Sequence, residues 1–565
     1  MKIKHFFGLA VLAAMTASCS SNNDLVGGGN GSGEVENGTA YASFKINLPT
    51  TSGTRAAGDP QGTPDFNEGT SAEYEVKNGT ILIFDATTGM FVTSAELGNM
   101  NPWTNVKTDG VTTAAIATVK LSNVSISGNY NALVLLNNNT TDNDTKKVTL
   151  PSTADTYATW SKDVSKANAT NYVSTDGIFM ANAPMYTSTT TEPTTLVKIN
   201  KVCASPEEAQ AKAATVVYVE RGLAKVTMED FTAGGYSIAD GTYAGGKVEI
   251  KNWQLDVTNK STFPVHQTSG LMTDWNQIWN TDRFYDQTST AFKRVYWGKD
   301  PNYDNSDYQT LANCKTAFNM IKNDKVVGEA GKAHPQYCLE NTFNLDNMKQ
   351  GQTTRVVFKA VFTPKDFTGT DKTFYKIGNN TDIWTKANLE KQIHTVAVTA
   401  MGITDAAEQA KYVVKLDATD NNISGEAGQH LVKKVNITYT GEAASSLVTD
   451  DIVNKINDKL GLSGAAGIST YLNGEAYYIA RIKHFNELTS WTAGTAYDSK
   501  NAEFLGRYGV LRNNWYELSV NSVSGLGYPD VPEVKPTVPD DENEQYINVE
   551  VKILDWAKRS QSVDL

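Results

Sequence analysis

Short stretches in which apolar and polar residues alternate recur along this chain, and they constrain its fold more than any other feature. Alternation with a period of two is typical of half-buried β-strands. One stretch near the start presents on one face Ala42, Phe44, Ile46 and Leu48. One stretch near the end presents on one face Ile547, Val549, Val551 and Ile553. The two ends of the chain therefore carry strands of the same pattern.

Further strands are predicted between these two, separated by clusters of Asn, Asp and Gly that favour turns. They cover residues 79–85, 112–121, 130–136, 216–228, 247–257, 354–362 and 430–439. Several short strands with turn signals between them indicate β-sandwiches. We therefore expect an all-β fold of two consecutive β-sandwich domains, transthyretin-like or Greek-key, with a few helices inserted in the second. The strand near the C-terminus would be added to these domains.

The overall charge narrows the possible partners. The 565 residues include 50 Lys and Arg against 62 Asp and Glu, which gives a net charge of −12. A basic surface that follows nucleic-acid phosphates is therefore not expected. The length is sufficient for two or more domains with cores of their own.

The N-terminus has the features of an export signal. Lys2 and Lys4 precede an apolar run from Phe6 to Met15, and Thr16-Ala17-Ser18-Cys19 follows. The run is too short to cross a bilayer, and small residues at its end are typical of a cleaved signal. The cysteine after two small residues resembles the lipobox of bacterial lipoproteins, with Cys19 as the acylated residue. Ordinary signal cleavage beside an incidental cysteine is the alternative.

A single arginine marks a predicted processing site. Arg55 is the only arginine in the first 220 residues, and it lies among the small residues of Thr51–Gly58. We expect cleavage between Arg55 and Ala56, whereas the alternative is a surface arginine in a loop. Removal of the first strand would vacate a sheet position, which the last strand of a neighbouring molecule could fill by strand addition.

The chain divides into predicted segments with different compositions. In order they are a lipoprotein signal (1–19), a Gly- and Ser-rich tether (20–40), a propeptide strand (41–55), an N-terminal sandwich (56–212), a C-terminal sandwich (213–528) with an insertion at 258–345, a Pro-rich acidic spacer (529–545) and a terminal strand (546–565). One helix is predicted, from the capping residue Thr449 to Gly461, because apolar residues recur there at helical spacing. The spacer is expected to hold the terminal strand apart from the body.

Motifs of catalysis are missing from the sequence. The six histidines form no HExxH pair, and no GxSxG elbow, phosphate-binding loop or dinucleotide fingerprint occurs. A buried pair of carboxylates, as in glycosidases, has no sequence signature and stays open. We predict no enzyme activity, no cofactor and no metal centre.

Three other features have two interpretations each. The carboxylates Asp300, Asp304 and Asp307, and the group Asp417, Asp420 and Asn421, are either solvated loops or calcium ligands. The aromatic residues of the insertion form either a core or a sugar-stacking platform; they are Trp275, Trp279, Tyr285, Tyr296, Trp297, Tyr303 and Tyr308. Cys203, Cys314 and Cys338 are expected to be structural, and a bond between Cys314 and Cys338 is possible by separation.

Three segments resemble a known family. RYGVLRNNWYELSVNSVSGLG (507–527) resembles the C-terminal signature of the Bacteroidetes fimbrillins, especially the shaft subunit of minor fimbriae. VEVKILDWAKRSQSVDL (549–565) is similar to the tail of that family, and VYVERGLAKVTM (217–228) to its domain junction. Read without the family, Trp515 and Tyr516 are core residues of a late strand, and Arg512 pairs with a nearby carboxylate or carbonyl.

The resemblance implies a structural pilus subunit without an active site. In the family an arginine-specific protease such as a gingipain removes the N-terminal segment, and the C-terminal extension of the next subunit fills the emptied groove. Carried onto this chain, Cys19 is the lipid site and Arg55–Ala56 the scissile bond. The displaced strand carries Phe44, Ile46 and Leu48. The donor strand (546–565) carries Ile547, Val549, Val551, Ile553 and Trp556.

The implied partners are further copies of the chain, accessory subunits, the protease, and surface ligands of the host or of other bacteria. The implied location is a fimbrium at the outer membrane, with a role in adhesion and biofilm formation. A tip subunit and an anchor subunit of the same fimbria are alternatives. A glycan-binding surface lipoprotein or glycosidase is the alternative from a different class.

Overall fold

The computed structural model of the chain describes residues 38–49, 70–98, 104–108, 111–141, 145–172, 176–188, 190–276, 284–285, 293–416, 429–442, 446–462, 467–484, 504–540 and 547–554. These residues form mainly β-structure with several sheets and a few helices, as the sequence predicts. The bounds of the elements follow, numbered in chain order.

The first sheet contains nine strands of the N-terminal part. They are β1 (Thr39–Pro49), β2 (Gly79–Asp85), β3 (Phe91–Glu96), β4 (Thr104–Thr108), β5 (Val111–Ser122), β6 (Tyr130–Leu136), β7 (Met180–Asn182), β8 (Val197–Lys198) and β9 (Thr215–Arg221). Their order is β3-β2-β6-β7-β9-β1-β5-β4, with β8 paired to β6. Because β3 also contacts β5, the sheet curls around an apolar cluster that includes Phe44, Ile83 and Val134.

The strands of the C-terminal part are shorter on average and form several sheets. They are β10 (Ala224–Met228), β11 (Tyr236–Ser237), β12 (Lys247–Asp256), β13 (Thr258–Asn259), β14 (Phe318–Asn319), β15 (Gln336–Cys338), β16 (Arg355–Thr363), β17 (Phe374–Ile377), β18 (Tyr412–Val414), β19 (Gln429–His430), β20 (Ile437–Tyr439), β21 (Ile468–Tyr471), β22 (Glu475–Arg481), β23 (Trp515–Val523) and β24 (Ile547–Leu554). Two four-stranded sheets, β15-β10-β23-β24 and β11-β12-β16-β22, share one apolar core. The full two-sandwich architecture stays a prediction.

The described α-helices are mostly single turns. They are α1 (Ser71–Tyr74), α2 (Tyr157–Trp160), α3 (Ala169–Tyr172), α4 (Pro206–Ala211), α5 (Leu271–Asp274), α6 (Leu311–Ala317), α7 (Lys386–Ala400), α8 (Ala406–Gln409) and α9 (Asp450–Lys459). The prediction of α9 is confirmed: the side chain of Thr449 accepts a hydrogen bond from the Ile452 amide, and Gly461 adopts φ +70° just after the helix.

The chain passes from the first sheet to the second at Gly222. Strand β9 pairs with β1 and β7, whereas β10 pairs with β15 and β23. The change of sheet therefore falls about ten residues after the boundary expected at residue 212. A Cβ at Gly222 would lie 3.0 Å from ring atoms of Tyr172 and Phe179, so a larger residue at the crossing would require those rings to shift.

Residues 374–471 build a module that the sequence analysis only partly predicted. Helices α7 and α9 pack together over short strands, around a core that contains Leu389, Ile393 and Ile456. The predicted strand 430–439 is instead two short strands, β19 and β20, separated by a 3₁₀ turn at Lys434–Asn436. A turn interrupts the strand because Lys433 and Asn436 bond to each other locally.

The core of this module supplies a test of the fold. Replacement of the fully buried Ile393 by Ala is expected to destabilise the module by about 2–5 kcal/mol, because it removes apolar contacts and leaves a cavity. The exposed Lys391, two residues earlier on α7, is the control, and its change to Ala should cost well under about 1 kcal/mol. Urea titration followed by circular dichroism measures both. Equal midpoints for the two variants would contradict the assignment of α7.

Candidate functional site

Strand β1 lies inside the first sheet, between two neighbours. It pairs antiparallel with β5 along its whole length, from Thr39 opposite Ser122 to Pro49 opposite Val111. On its other side, residues 44–47 pair in parallel with residues 215–218 of β9. Removal of β1 would therefore leave a slot with backbone hydrogen-bonding groups on both walls.

The inner face of β1 belongs to the core. Ala40, Ala42, Phe44, Ile46 and Leu48 are all at most 2% exposed and join the apolar cluster enclosed by the sheet. The alternation in the sequence thus predicts the buried face correctly. Full burial of each larger side chain contributes about 1.5–3 kcal/mol, so the strand is held firmly even without its covalent connection.

The outer face of β1 is covered in part by α4. The Ser43 hydroxyl donates to the Ala209 carbonyl of α4 at 3.0 Å and lies 2.8 Å from the Thr118 hydroxyl of β5. Just before this, Tyr41 and Cys203 exchange two backbone hydrogen bonds of 2.9 and 2.8 Å. No sequence pattern predicts the position of α4 over β1.

The segment that follows the predicted processing site is anchored by a buried ion pair. Glu73 of α1 lies 2.7 Å from the Lys225 ammonium of β10, and the Tyr337 hydroxyl donates to the Glu73 carboxylate at 2.6 Å. The Arg221 guanidinium donates to the Glu73 carbonyl at 2.9 Å. Burial alone would raise the pKa of Glu73, but the hydrogen bonds from Lys225 and Tyr337 outweigh burial and hold the pKa below its ordinary value.

A second buried charge cluster connects β9 to the C-terminal part. Glu220 bonds His266 at 2.5 Å and Arg294 at 2.8 Å, and all three side chains are at most 2% exposed. The Arg294 guanidinium also donates to the Arg512 carbonyl at 3.1 Å. Burial opposes ionisation of Glu220, but the neighbouring His266 and Arg294 outweigh burial and lower its pKa. The cluster ties the first sheet to the RNNWY segment.

The prediction for RNNWY as an internal motif is confirmed. Arg512 bonds the Glu340 carboxylate at 3.1 Å, and both side chains are buried. Trp515 and Tyr516 begin β23 with exposed fractions of 4% and 0%. No sequence signal pointed to Glu73, Glu220 or Glu340, because partners that are distant in the sequence carry no local pattern.

The last described strand occupies a sheet edge of its own chain. Strand β24 pairs antiparallel with β23, from Leu554 opposite Trp515 to Ile547 opposite Val523. Within the described part of the chain it has this single strand partner, whereas β1 has two. Ile547, Val549, Val551 and Ile553 therefore belong to an edge strand in the isolated chain, and Trp556 lies outside the described residues.

The spacer before β24 is packed on the body, contrary to the expectation that it stands apart. Asp540 is fully buried and accepts a hydrogen bond from the Thr353 hydroxyl at 2.8 Å, and Val534 is 5% exposed. The Pro532 carbonyl accepts a bond of 2.7 Å from Arg355. The spacing of the prolines predicts a stiff spacer, but side chains of the spacer such as Val534 and Asp540 are buried against the rest of the chain.

Several predicted residues lie outside the described part of the chain. They are Cys19, Arg55, Ala56, Trp279, Asp417, Asp420 and Asn421. The described chain resumes at Thr70 after Pro49, so the predicted scissile bond falls between β1 and α1 in the sequence.

The alternative interpretations of the insertion lose support. Trp275 and Trp297 are fully buried, so their rings are not a sugar-stacking surface, and the prediction of an aromatic core is confirmed. Asp300 is buried and bonded to backbone amides, and burial raises its pKa to about 7, whereas Asp304 and Asp307 are exposed. Within the described residues no group of His, Cys, Asp or Glu is arranged to hold a metal ion.

The possible disulfide between Cys314 and Cys338 is not formed in this structure. Cys203, Cys314 and Cys338 are all free and buried, so Cys314 and Cys338 form no disulfide. Burial raises the pKa of the Cys338 thiol to about 12. Among the described residues no helix is both long and apolar enough to span a membrane.

The fold defines a mainly β protein whose first strand fills an interior sheet position and whose last described strand lies at an edge. Residues 469–562, which include β23 and β24, match the family model described as "Major fimbrial subunit protein type IV, Fimbrillin, C-terminal". The match supports the resemblance to fimbrillins and does not distinguish a shaft subunit from the other types. The chain matches none of the curated proteins with which it was compared.

Three solved structures are similar over much of their length at low identity. A candidate cell adhesion protein from Parabacteroides distasonis is 10% identical, with a TM-score of 0.36 and coverage of 93% of this chain and 99% of that chain. The tip fimbrial protein Mfa3 from Porphyromonas gingivalis, with C-terminal truncation, is 11% identical, with a TM-score of 0.28 and coverage of 91% and 100%. A fimbrial assembly protein from Parabacteroides distasonis is 12% identical, with a TM-score of 0.24 and coverage of 58% and 96%. Scores this low do not establish a common fold.

The Glu73 ion pair gives a testable stability prediction. Glu73→Gln should destabilise the protein by about 3–5 kcal/mol at pH 7, because the buried Lys225 ammonium would lose the carboxylate that lies 2.7 Å from it. The pKa of Glu73 is lowered in the folded state, so its contribution is complete above the ordinary value of 4.5 and is lost as the pH falls through the folded-state pKa. The difference between the two proteins should therefore shrink in acid.

The exposed Glu229, at the end of β10, is the matched control. Glu229→Gln should leave the denaturation midpoint almost unchanged at every pH. Chemical denaturation at a series of pH values measures all three proteins. If the difference in unfolding free energy between wild type and Glu73→Gln is independent of pH, the charge of the Glu73 carboxylate is not the source of the stabilisation.

Proposed function

We propose that this chain is a structural subunit, of the shaft type, of a bacterial surface fimbria that assembles by protease-triggered strand exchange. The observation that carries the proposal is that β1 is an interior strand, paired on both sides, whose alternating pattern matches that of the last strand. The fimbrillin match over residues 469–562 supports the same assignment. Adhesion and biofilm formation are the roles that such a fibre would serve.

Cleavage provides the trigger in this scheme. While β1 is part of the chain, its tether keeps its effective concentration at the groove high, and an external strand competes poorly. A cut between Arg55 and Ala56 turns its rebinding into a bimolecular event. The strand then stays in place only through its noncovalent contacts, and a donor from a neighbouring subunit can replace it.

The donor gains contacts on moving into the groove. In its own chain β24 pairs with β23 alone among the described strands, whereas the groove offers β5 on one side and β9 on the other. Burial of Ile547, Val549, Val551 and Ile553 in the groove would contribute about 1.5–3 kcal/mol each. Ordering and detachment of the tail offset part of this gain.

The proposal includes a maturation pathway based on the predicted lipid and cleavage sites. Cys19 would carry the lipid during export, which holds the precursor at the outer membrane until an arginine-specific protease cuts after Arg55. The ion pair of Glu73 with Lys225 would keep the new N-terminal segment on the body after the cut. The partners are other copies of the chain and accessory subunits, and no cofactor takes part.

The competing functions differ in what they require. A tip subunit needs the groove but no donor strand, and an anchor would keep its lipid and resist cleavage at Arg55. The terminal strand and its spacer favour the shaft over the tip. A glycan-binding lipoprotein would need exposed aromatic faces, but Trp275 and Trp297 are buried.

The first test concerns the scissile bond. Arg55→Ala should leave the precursor uncut and without fibres, because β1 keeps its tether. Arg55→Lys should restore cutting by trypsin but not by an arginine-specific protease. N-terminal sequencing of assembled material and electron microscopy give the readouts. A mature N-terminus other than Ala56, or fibres from the Ala variant, would contradict the assignment.

The second test concerns the donor strand. Val551→Asp should abolish fibre formation after protease treatment, because the pattern of the strand places this residue on the apolar face. Glu550→Asp places the same side chain on the other face of the strand, at a position that already carries a carboxylate, and should leave most of the assembly intact. Electron microscopy counts the fibres, and thermal denaturation checks that both monomers fold. Equal fibre yields from the two folded variants would refute the donor role.

A further inference from the structure

The outer face of β1 offers three environments to any strand that replaces it. Ser43 is 8% exposed and Asn47 is 2% exposed, whereas Lys45 between them is open to solvent. An alternating strand that enters the groove must therefore place one outer residue under α4, the next in solvent and the third in a closed position. The inner face sets no such order, because all its positions are apolar.

The environment under α4 suits a short polar side chain. Ser43 donates to the Ala209 carbonyl and meets the Thr118 hydroxyl there, and the pairing of Tyr41 with Cys203 holds the adjoining chain in place. A long side chain would have to displace α4. A carboxylate would face the Ala209 carbonyl with no hydrogen to donate to it. A short side chain with an N–H or O–H group meets both conditions.

The closed position at Asn47 selects against acceptors. The Asn47 Oδ1 atom is buried and has no hydrogen-bond partner among the described residues. A carboxylate placed here would lack donors in the same way and would lose its hydration, which is costly. A lysine has only donors, and its flexible stem can carry the ammonium group out to water.

From these environments we infer that the groove admits the last strand of a second copy in one register, with Asn548 at the position of Ser43, Glu550 at that of Lys45 and Lys552 at that of Asn47. This inference rests on the proposed strand exchange. The donor then runs in the direction of β1, antiparallel to β5 and parallel to β9. Asn548 supplies N–H groups to the Ala209 carbonyl, and Glu550 lies in solvent between Ile116 and Val216, the register partners of Lys45.

The inner face is compatible with this register. Ile553 takes the position of Leu48, Val551 that of Ile46, and Val549 that of Phe44. Ile547 takes the position of Ala42. The larger side chain there offsets the smaller Val549 at the neighbouring position of Phe44. Apolar exchanges that nearly conserve the total volume are the ones that cores accept best.

The alternative registers place unsuitable residues in closed positions. A shift by two residues in one direction puts Tyr546 under α4 and Glu550 in the position of Asn47. The opposite shift puts Glu550 under α4 and Asp555 in the apolar position of Leu48. A donor strand that enters in the reverse direction, with Glu550 still at the position of Lys45, places Lys552 at the position of Ser43 under α4.

Disulfide mapping between two separately purified proteins tests the register. The acceptor carries Ile116→Cys or Thr118→Cys on β5, and the donor carries Asn548→Cys, Glu550→Cys or Lys552→Cys. Facing residues of antiparallel strands lie about 4.5–5.5 Å apart between Cα atoms, within the disulfide range of about 4.4–6.8 Å. Both full-length proteins are cut with the arginine-specific protease, mixed, oxidised and separated on non-reducing gels. Parent protein treated in the same way gives the background from Cys19 and from the buried thiols of Cys203, Cys314 and Cys338.

The expected result is a cross-linked dimer from Ile116→Cys with Glu550→Cys and from Thr118→Cys with Asn548→Cys, at least about tenfold above the other pairings. A dimer from Thr118→Cys with Lys552→Cys would overturn the direction, and one from Ile116→Cys with Asn548→Cys or Lys552→Cys would overturn the register. Either result leaves the strand exchange itself standing. No dimer from any pairing, in mixtures that form fibres by electron microscopy, would overturn the strand exchange together with the register.

Discussion

The position of β1 between β5 and β9 is the constraint on which the rest of the molecule depends. An edge strand can leave a sheet with the loss of one ladder, but loss of an interior strand breaks two ladders and opens the core. Phe44, Ile46 and Leu48 close the apolar cluster of the first sheet, so the sheet is complete only while this slot is filled. A chain that lost this strand would need another to close its core, so in the proposed scheme the removal of β1 would be coupled to association with a second subunit.

Buried charges hold the two halves of the chain in place around that slot. Glu220 on β9 joins His266 and Arg294, while Lys225 on β10 joins Glu73. The two clusters lie on either side of the crossing at Gly222. Buried ion pairs add little net stability relative to apolar contacts, but breaking one is costly. This arrangement favours a single relative position of the two halves.

The sequence predicted local structure well and long-range structure poorly. The alternation of residues 42–48 identified the buried face of β1, and the cap at Thr449 identified α9, because both signals are contained in adjacent residues. Helix α7 was missed altogether, although Leu389, Ile393 and Ala397 recur at helical spacing. The packing of the spacer was missed because the partner of Asp540, Thr353, lies 187 residues away. The cover of α4 over Ser43 depends on a contact across 166 residues, which no local pattern records.

The two terminal strands share the pattern of their apolar face but differ on the polar one, and in the proposed exchange this difference would provide the selectivity. Any alternating strand could fill the inner positions, since apolar pockets discriminate weakly between similar side chains. Buried polar positions discriminate strongly, because an unpaired acceptor loses its hydration without compensation. The outer face of the groove, with its closed positions at Ser43 and Asn47, is therefore where the proposed exchange would distinguish a strand of this chain from the strands of other proteins. In that scheme the inner face would supply the affinity, and the outer face would determine which partner strand is accepted.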